Sequence, residues 1–236
     1  MTSGTKRRPG GARPDGPLLE REQIVDAALR LTRRHGLNGM SMRKLGDELG
    51  VTSMAIYWYF EGKDELVDAI TEQVFAMIEL PAHSNEPWDV RLRDFSKRVH
   101  DVLIDYPGIA DQIFTYQNYP ASSVALVEYG VRTLRDAGFD EIEAARAFDV
   151  VASVVITRSH FEAHQRLVSE EDAVAPSLEE RVEQGWDRLG GAIDESVPHA
   201  RSYVDLLDDR ILGAEVFDRA VDVVLAGLKA QLEEGT

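Results

Sequence analysis

The sequence predicts an all-α protein, a small three-helix head followed by a larger helical body. Apolar residues recur three and four positions apart along nearly the whole chain, strand-like alternation is scarce, and Gly or Pro falls between the amphipathic runs. With 236 residues, 44% of them hydrophobic, the chain can bury a sizeable core without staples. It has no cysteine, which removes disulfides, thiolate chemistry and Cys-ligated zinc. No apolar run approaches the roughly 18–20 residues of a membrane span. The basic N-terminus has no apolar core behind it, so a signal peptide is not expected and a cytoplasmic address fits.

The elements follow in order. Ile24, Ala27, Ala28 and Leu31 give residues 21–35 one apolar face, and Gly36 offers a left-handed end. Ser41 is placed to cap a short helix through Leu49, with Met42 and Leu45 inward and Gly50 closing it. Thr52 is placed to cap a third helix, Gly62 ends the unit, and Lys63 opens a longer helix to about Glu79. The second and third helices, joined by Gly50-Val51-Thr52, form a helix-turn-helix pattern.

Pro81 and Pro87 then break the chain, and Leu92, Phe95, Val99, Val102 and Leu103 carry the next helix from Trp88 to about Asp105. After Pro107-Gly108, helices are expected over 109–118, 121–137, 140–166, 178–194 and 214–232, with an acidic loop over 167–177. Two segments, 150–156 and 221–228, are apolar nearly all round. A helix without a polar face must be buried on every side, by its own domain or by a partner.

Charge is divided unevenly. Residues 1–63 carry 11 Lys/Arg against 7 Asp/Glu, a net of +4, whereas residues 64–236 carry 15 against 35, a net of −20. Lys6, Arg7, Arg8 and Arg13 lie in a Gly/Pro/Ser/Thr-rich stretch that reads as a disordered basic arm over 1–17. One polyanion-facing end on an otherwise acidic molecule accounts for this; the plainer alternative is a solvated tail.

The run 52–60, Thr-Ser-Met-Ala-Ile-Tyr-Trp-Tyr-Phe, carries the most chemistry. At about 100° per residue, turning Ile56 to the core leaves Phe60 about 40° and Tyr59 about 60° away, so both can pack inward. Trp58 falls about 200° away, Met54 about 160°, and Ala55 and Tyr57 about 100° on opposite sides. Large aromatics turned to solvent mark a contact surface. Here Thr52 and Ser53 begin the helix, and Arg43, Lys44 and Lys63 flank it with positive charge. The competing expectation is that Tyr57 and Trp58 pack against the acidic body.

Residues 42–51, Met-Arg-Lys-Leu-Gly-Asp-Glu-Leu-Gly-Val, followed by Ile56-Tyr57-Trp58-Tyr59-Phe60 and Lys63, resemble the tetracycline-repressor (TetR) family of bacterial transcriptional regulators. The body is similar to the C-terminal domain of the repressor that gives the family its name. That likeness lies in the Trp88 segment, Gly138-Phe139, residues 162–165, and Gly227-Leu228 with Gln231-Leu232.

The resemblance implies a homodimer with a helix-turn-helix DNA-binding domain at 18–63 and a ligand-binding and dimerisation domain at 64–236. Helices 140–166 and 214–232 would form a four-helix bundle with their copies. A palindromic operator follows, with half-sites about one helical turn apart or slightly more. By matching position, Arg43 reads a base, and Thr52, Ser53, Met54 and Ala55 face the groove. Lys44, Tyr57, Trp58, Tyr59 and Lys63 belong to the same DNA-binding set, the last four on the phosphate side. The arm is placed to reach a minor groove.

The family further implies a small-molecule effector that releases the DNA. Positions that hold drug- and magnesium-binding His and Asn in the tetracycline repressor are here Glu79, Phe95 and Ile113, and a pocket Phe is Val99. A magnesium-chelate drug is therefore not expected; an apolar or aromatic effector is. Candidate ligand-binding residues are His100, Phe114, Gln117, Arg158, Phe161, His164 and Trp186, polar groups and aromatic walls embedded in apolar helices, with His160 beside them. His160 and His164 have a spacing that can ligate zinc, but no third ligand is identifiable nearby, so no metal and no cofactor are expected. An enzyme is not expected either, since no P-loop, Gly-x-Gly-x-x-Gly, nucleophile elbow or His-Glu-x-x-His is present. A helical adaptor or small-molecule-binding protein that ignores DNA is the remaining alternative.

Overall fold

The computed structural model describes residues 19–82, 84–114, 119–171, 184, 198–205 and 215–234. Among them every regular element is an α-helix. The head holds α1 (Arg21–Gly39), α2 (Met42–Leu49) and α3 (Ser53–Ile56), and α4 (Lys63–Ala76) leads out of it. The body holds α5 (Trp88–Leu103), α6 (Ile109–Phe114), α7 (Ser123–Ala137), α8 (Glu141–Glu171), α9 (Pro198–Asp205) and α10 (Glu215–Glu234). Helix α8 is the hub: α5, α6, α7 and α10 all pack against it, as does α1 from the head. No helix among the described residues is long and apolar enough to cross a membrane.

The head is built as its sequence dictates. Ser41 Oγ accepts the Lys44 N–H at 3.2 Å, which caps α2, and Gly50 ends that helix in the left-handed region at φ 67°. Met42, Leu45, Ile56 and Phe60 fill the space between the helices with Ile24, Ala27 and Ala28. The turn between α2 and α3 is so tight that a Cβ on Gly46 would stand 2.7 Å from the Val51 carbonyl oxygen. Two ion pairs to one carboxylate brace the unit. Arg30 and Arg34 both bind Glu48, at 3.3 and 2.8 Å, and their hydrogen bonds hold that carboxyl below its ordinary range.

Several boundaries differ from the sequence expectation. Gly36 does break α1, at φ 65° and ψ 164°, but helical structure resumes through Gly39. The third helix keeps α geometry only over 53–56 and continues as turns through Tyr59, with the Thr52 carbonyl rather than its hydroxyl accepting from Ala55 N–H. Helix α8 continues to Glu171, past the start of the loop expected over 167–177, because Ser and Glu do not stop a helix; the rest of that loop lies outside the described residues. Helix α9 was not expected; Pro198 starts it, where a missing N–H costs nothing. The helix expected at 178–194 lies, apart from Gln184, outside the described residues, as does the arm 1–17.

Head and body meet at a compact joint. The Leu37 N–H donates to the Pro107 carbonyl at 2.8 Å, and Gly36 approaches Leu167. Gly108, at φ 94°, lies so near Leu37 that a Cβ there would be 2.8 Å from the leucine Cβ. Beside it, Arg33 bonds Asp105 at 3.0 Å and the Tyr106 hydroxyl at 3.2 Å.

A buried polar cluster links α5 and α8 in the body core. His100 of α5 places Nε2 3.0 Å from Glu162 Oε2 and Nδ1 2.9 Å from Ser159 Oγ, both on α8, and its ring stacks on Phe217 of α10 at 3.8 Å. Arg166 holds the other Glu162 oxygen at 2.7 Å. With the imidazole neutral, Nε2–H donates to Glu162 and the Ser159 hydroxyl donates to Nδ1. A second ring proton turns that hydroxyl to the Val155 carbonyl, 2.7 Å away.

Replacing Gly46 by Ala is expected to lower unfolding free energy by about 1–3 kcal/mol, measured by urea denaturation, because the neighbouring carbonyl is backbone and cannot step aside. A second expectation concerns pH. Burial holds the His100 pKa below its usual 6.5, with Glu162 opposing the shift. The unfolded chain takes up a proton near that value while the folded one does not, so this share of stability is complete above it and declines as pH falls through it. Urea midpoints at about pH 7.5 and about pH 5.5 should show that decline, and His100→Gln should remove this part of it.

Candidate nucleic-acid interface and effector region

Residues 53–60 divide into two sets by burial. Ile56 and Phe60 are 0% and 1% exposed, whereas Met54, Trp58 and Tyr57 are 69%, 63% and 47% exposed. The inward pair is fixed from outside as well. Arg21 lies over the Phe60 ring, 4.1 Å from its centroid, and donates to the Tyr59 carbonyl at 2.7 Å and to Glu65 at 2.9 Å. Glu65 also accepts the Glu61 N–H, at 2.6 Å; that bond first, and Arg21 second, hold its carboxyl below the ordinary range. One guanidinium thus joins α1, the turn after α3 and the start of α4.

The outward rings do not pack on the acidic body. Arg43, Lys44, Thr52 and Lys63 are exposed, and Ser53 and Ala55 are half-buried at the same end. Lys44 Nζ donates to the Gly39 carbonyl at 2.9 Å, so it finishes α1 while facing outward. Tyr59 is half-buried and packs against the head core, as its helical angle suggested, leaving less of it to meet an external partner than Tyr57 or Trp58. Arg21 and Glu65 escaped sequence reasoning: they lie 44 positions apart, and no local spacing marks them as a pair.

The effector candidates disperse. His100 is buried with both ring nitrogens engaged, so in this state it is a core group. Phe114 and Phe161 are 69% and 50% exposed and present aromatic surface rather than closed walls. Arg158 is half-buried, and its buried Nε has no hydrogen-bond partner among the described residues. His164 is half-buried, its Nδ1–H directed to the His160 carbonyl at 2.9 Å. Gln117 and Trp186 lie outside the described residues. Phe95, Val99 and Ile113 are buried in the apolar core.

One association was missed. The sequence offered no third donor near His160 and His164, but the fold brings Asp111 of α6 against them, its carboxylate paired with His160 Nδ1. The partners are 49 positions apart, which is why spacing could not reveal them.

Comparison with known proteins agrees with this architecture. The family described as bacterial regulatory proteins, tetR family, matches residues 24–70, and the tetracyclin repressor-like C-terminal domain matches residues 80–232. An HTH-type transcriptional regulator of Saccharopolyspora erythraea is 31% identical over 178 residues, covering 74% of this chain and 75% of that protein. The class D tetracycline repressor protein of Escherichia coli is 25% identical, with 91% of each chain covered. Among solved structures, the Streptomyces coelicolor TetR family protein ActR, in complex with actinorhodin, superposes with a TM-score of 0.69 at 20% identity, covering 91% of this chain and 99% of that one. With both halves matched and the head geometry in agreement, the chain belongs to the TetR family of bacterial regulatory proteins.

Proposed function

We propose that this protein is a cytoplasmic transcriptional repressor that binds a palindromic operator as a homodimer and is released by a small apolar or aromatic effector. The observation that carries the DNA-binding part is the exposed Met54, Tyr57 and Trp58 set, braced from behind and bordered by Arg43, Lys44 and Lys63. Rings and cations together suit a duplex: Arg43 reads a base edge, Met54 and Ala55 meet a thymine methyl, and Thr52 and Ser53 face the groove. Tyr57, Trp58, Lys63 and, with less exposed surface, Tyr59 fix register on the phosphates. The acidic body repels the duplex and so orients the head.

Dimerisation rests on exposed apolar surface where the sequence demanded burial. Val150 on α8 and Val223 on α10 are 48% and 57% exposed in the single chain, and Gly227 leaves open space beside Val223 on the same helix. Two copies facing each other across these helices would remove that surface from water. The effector is read from the aromatic surface of Phe114 and Phe161 with the unpartnered Arg158 Nε and with His164 as a polar anchor; Gln117, a further polar group, and Trp186, a further wall, lie outside the described residues. ActR, solved with actinorhodin, accommodates an organic ligand on this fold. Binding there acts by favouring one spacing of the two heads over the other.

A gel-shift with DNA from upstream of the chain's own gene tests the reading, since an enzyme or an adaptor gives no specific shift. Lys63→Ala is expected to weaken all operators alike and to lower the slope of log K against log salt by about 1, whereas Arg43→Ala relaxes one base position at a cost of about 1–3 kcal/mol. Val223→Asp is expected to shift the protein from dimer to monomer in light scattering and to abolish operator binding while far-ultraviolet dichroism remains helical.

A further inference from the structure

We propose that Asp111, His160 and His164 form a site for one divalent transition-metal ion of the Zn2+ class, which clips α6 to α8. Helix α8 sets the two histidines four residues apart on one face, with ring centroids 4.3 Å apart. Helix α6 brings Asp111 onto His160 Nδ1. One donor atom from each of the three lies within 4.8 Å of the others. Ligands at the roughly 2.0–2.2 Å of zinc–nitrogen and zinc–oxygen bonds stand about 3.3–3.5 Å apart in a tetrahedron. Rotations of half-buried side chains by about 1 Å therefore close the set around an ion.

The surroundings support this assignment. The bond from His164 Nδ1–H to the His160 carbonyl, at 2.9 Å, fixes the tautomer and leaves the Nε2 lone pair free to ligate, the outer-shell arrangement common for metal-bound histidine. A His–Asp ion pair alone would explain two of the residues; it gives no reason for a second imidazole at the same point, its ring tilted 42° to the first. Two imidazoles and a carboxylate favour Zn2+, Co2+ or Ni2+ over Mg2+ and Ca2+, which take oxygen donors, and the absence of thiolates disfavours Cu+. No fourth His, Cys, Asp or Glu joins the group among the described residues, and the side chains of His160 and Asp111 are 36% and 26% exposed. The fourth position is left to a donor beyond these three, beside the exposed Phe161 ring that meets His160 edge-on at 5.3 Å. Because α6 also packs on α4, an ion here tightens the element that supports the head.

The test uses the full chain, stripped of metal, and does not involve DNA. Equilibrium dialysis is expected to show one Zn2+ per chain, and Co2+ to give a visible ligand-field spectrum that Zn2+ abolishes. Asp111→Asn and His164→Ala should each weaken Zn2+ binding by about tenfold or more, while His199→Ala leaves it unchanged. Imidazole nitrogen resonances of the unmodified protein should move on Zn2+ addition for His160 and His164. No uptake by the unmodified protein, resonance shifts confined to other histidines, or full uptake by a helical H160A/H164A variant would each overturn the proposal.

Discussion

Everything on the nucleic-acid face depends on the anchoring of Ile56 and Phe60. Once those two side chains are sealed in the head, backbone geometry leaves Met54, Tyr57 and Trp58 no direction but outward. The surface is costly in water and persists only because the interior set is held so firmly. Arg21 contributes by covering the Phe60 ring while binding the Tyr59 carbonyl and Glu65. The exposed side chains of this run are therefore positioned by groups on the inner side of the head, and their orientation is set by the fold itself.

The head was legible because its determinants are local. The Ser41 cap, the Gly50 stop and the position of Ile56 each act within a few residues, so periodicity and capping chemistry recover them. The wheel also survives the short α3: the turns after Ile56 keep bonds from Tyr59 and Phe60 back to the Ile56 carbonyl, which preserves the facing of the side chains. In the body, α5, α7 and α10 announced themselves through apolar spacing and Gly or Pro boundaries.

What was not legible depends on long-range pairing. Arg21 with Glu65, Arg33 with Asp105 and Asp111 with His160 are brought together by packing of separate helices, and nothing in their own neighbourhoods foretells it. His100 illustrates the converse. A polar residue in an apolar helix suggested a ligand contact, but Ser159 and Glu162 supply both partners from α8, a pairing visible only once α5 and α8 are docked. The same distinction explains the exposed Phe114 and Phe161, whose apolar character is plain in sequence and whose surroundings are not.

The bond from Leu37 to the Pro107 carbonyl, with Gly36 and Gly108 beside it where no side chain would fit, has a mechanical corollary. It behaves as a fulcrum. With no room there for a methyl group on either glycine, a tilt of the α5–α6 corner would turn the head as a body rather than slide past it, and would carry the exposed Met54, Tyr57 and Trp58 along.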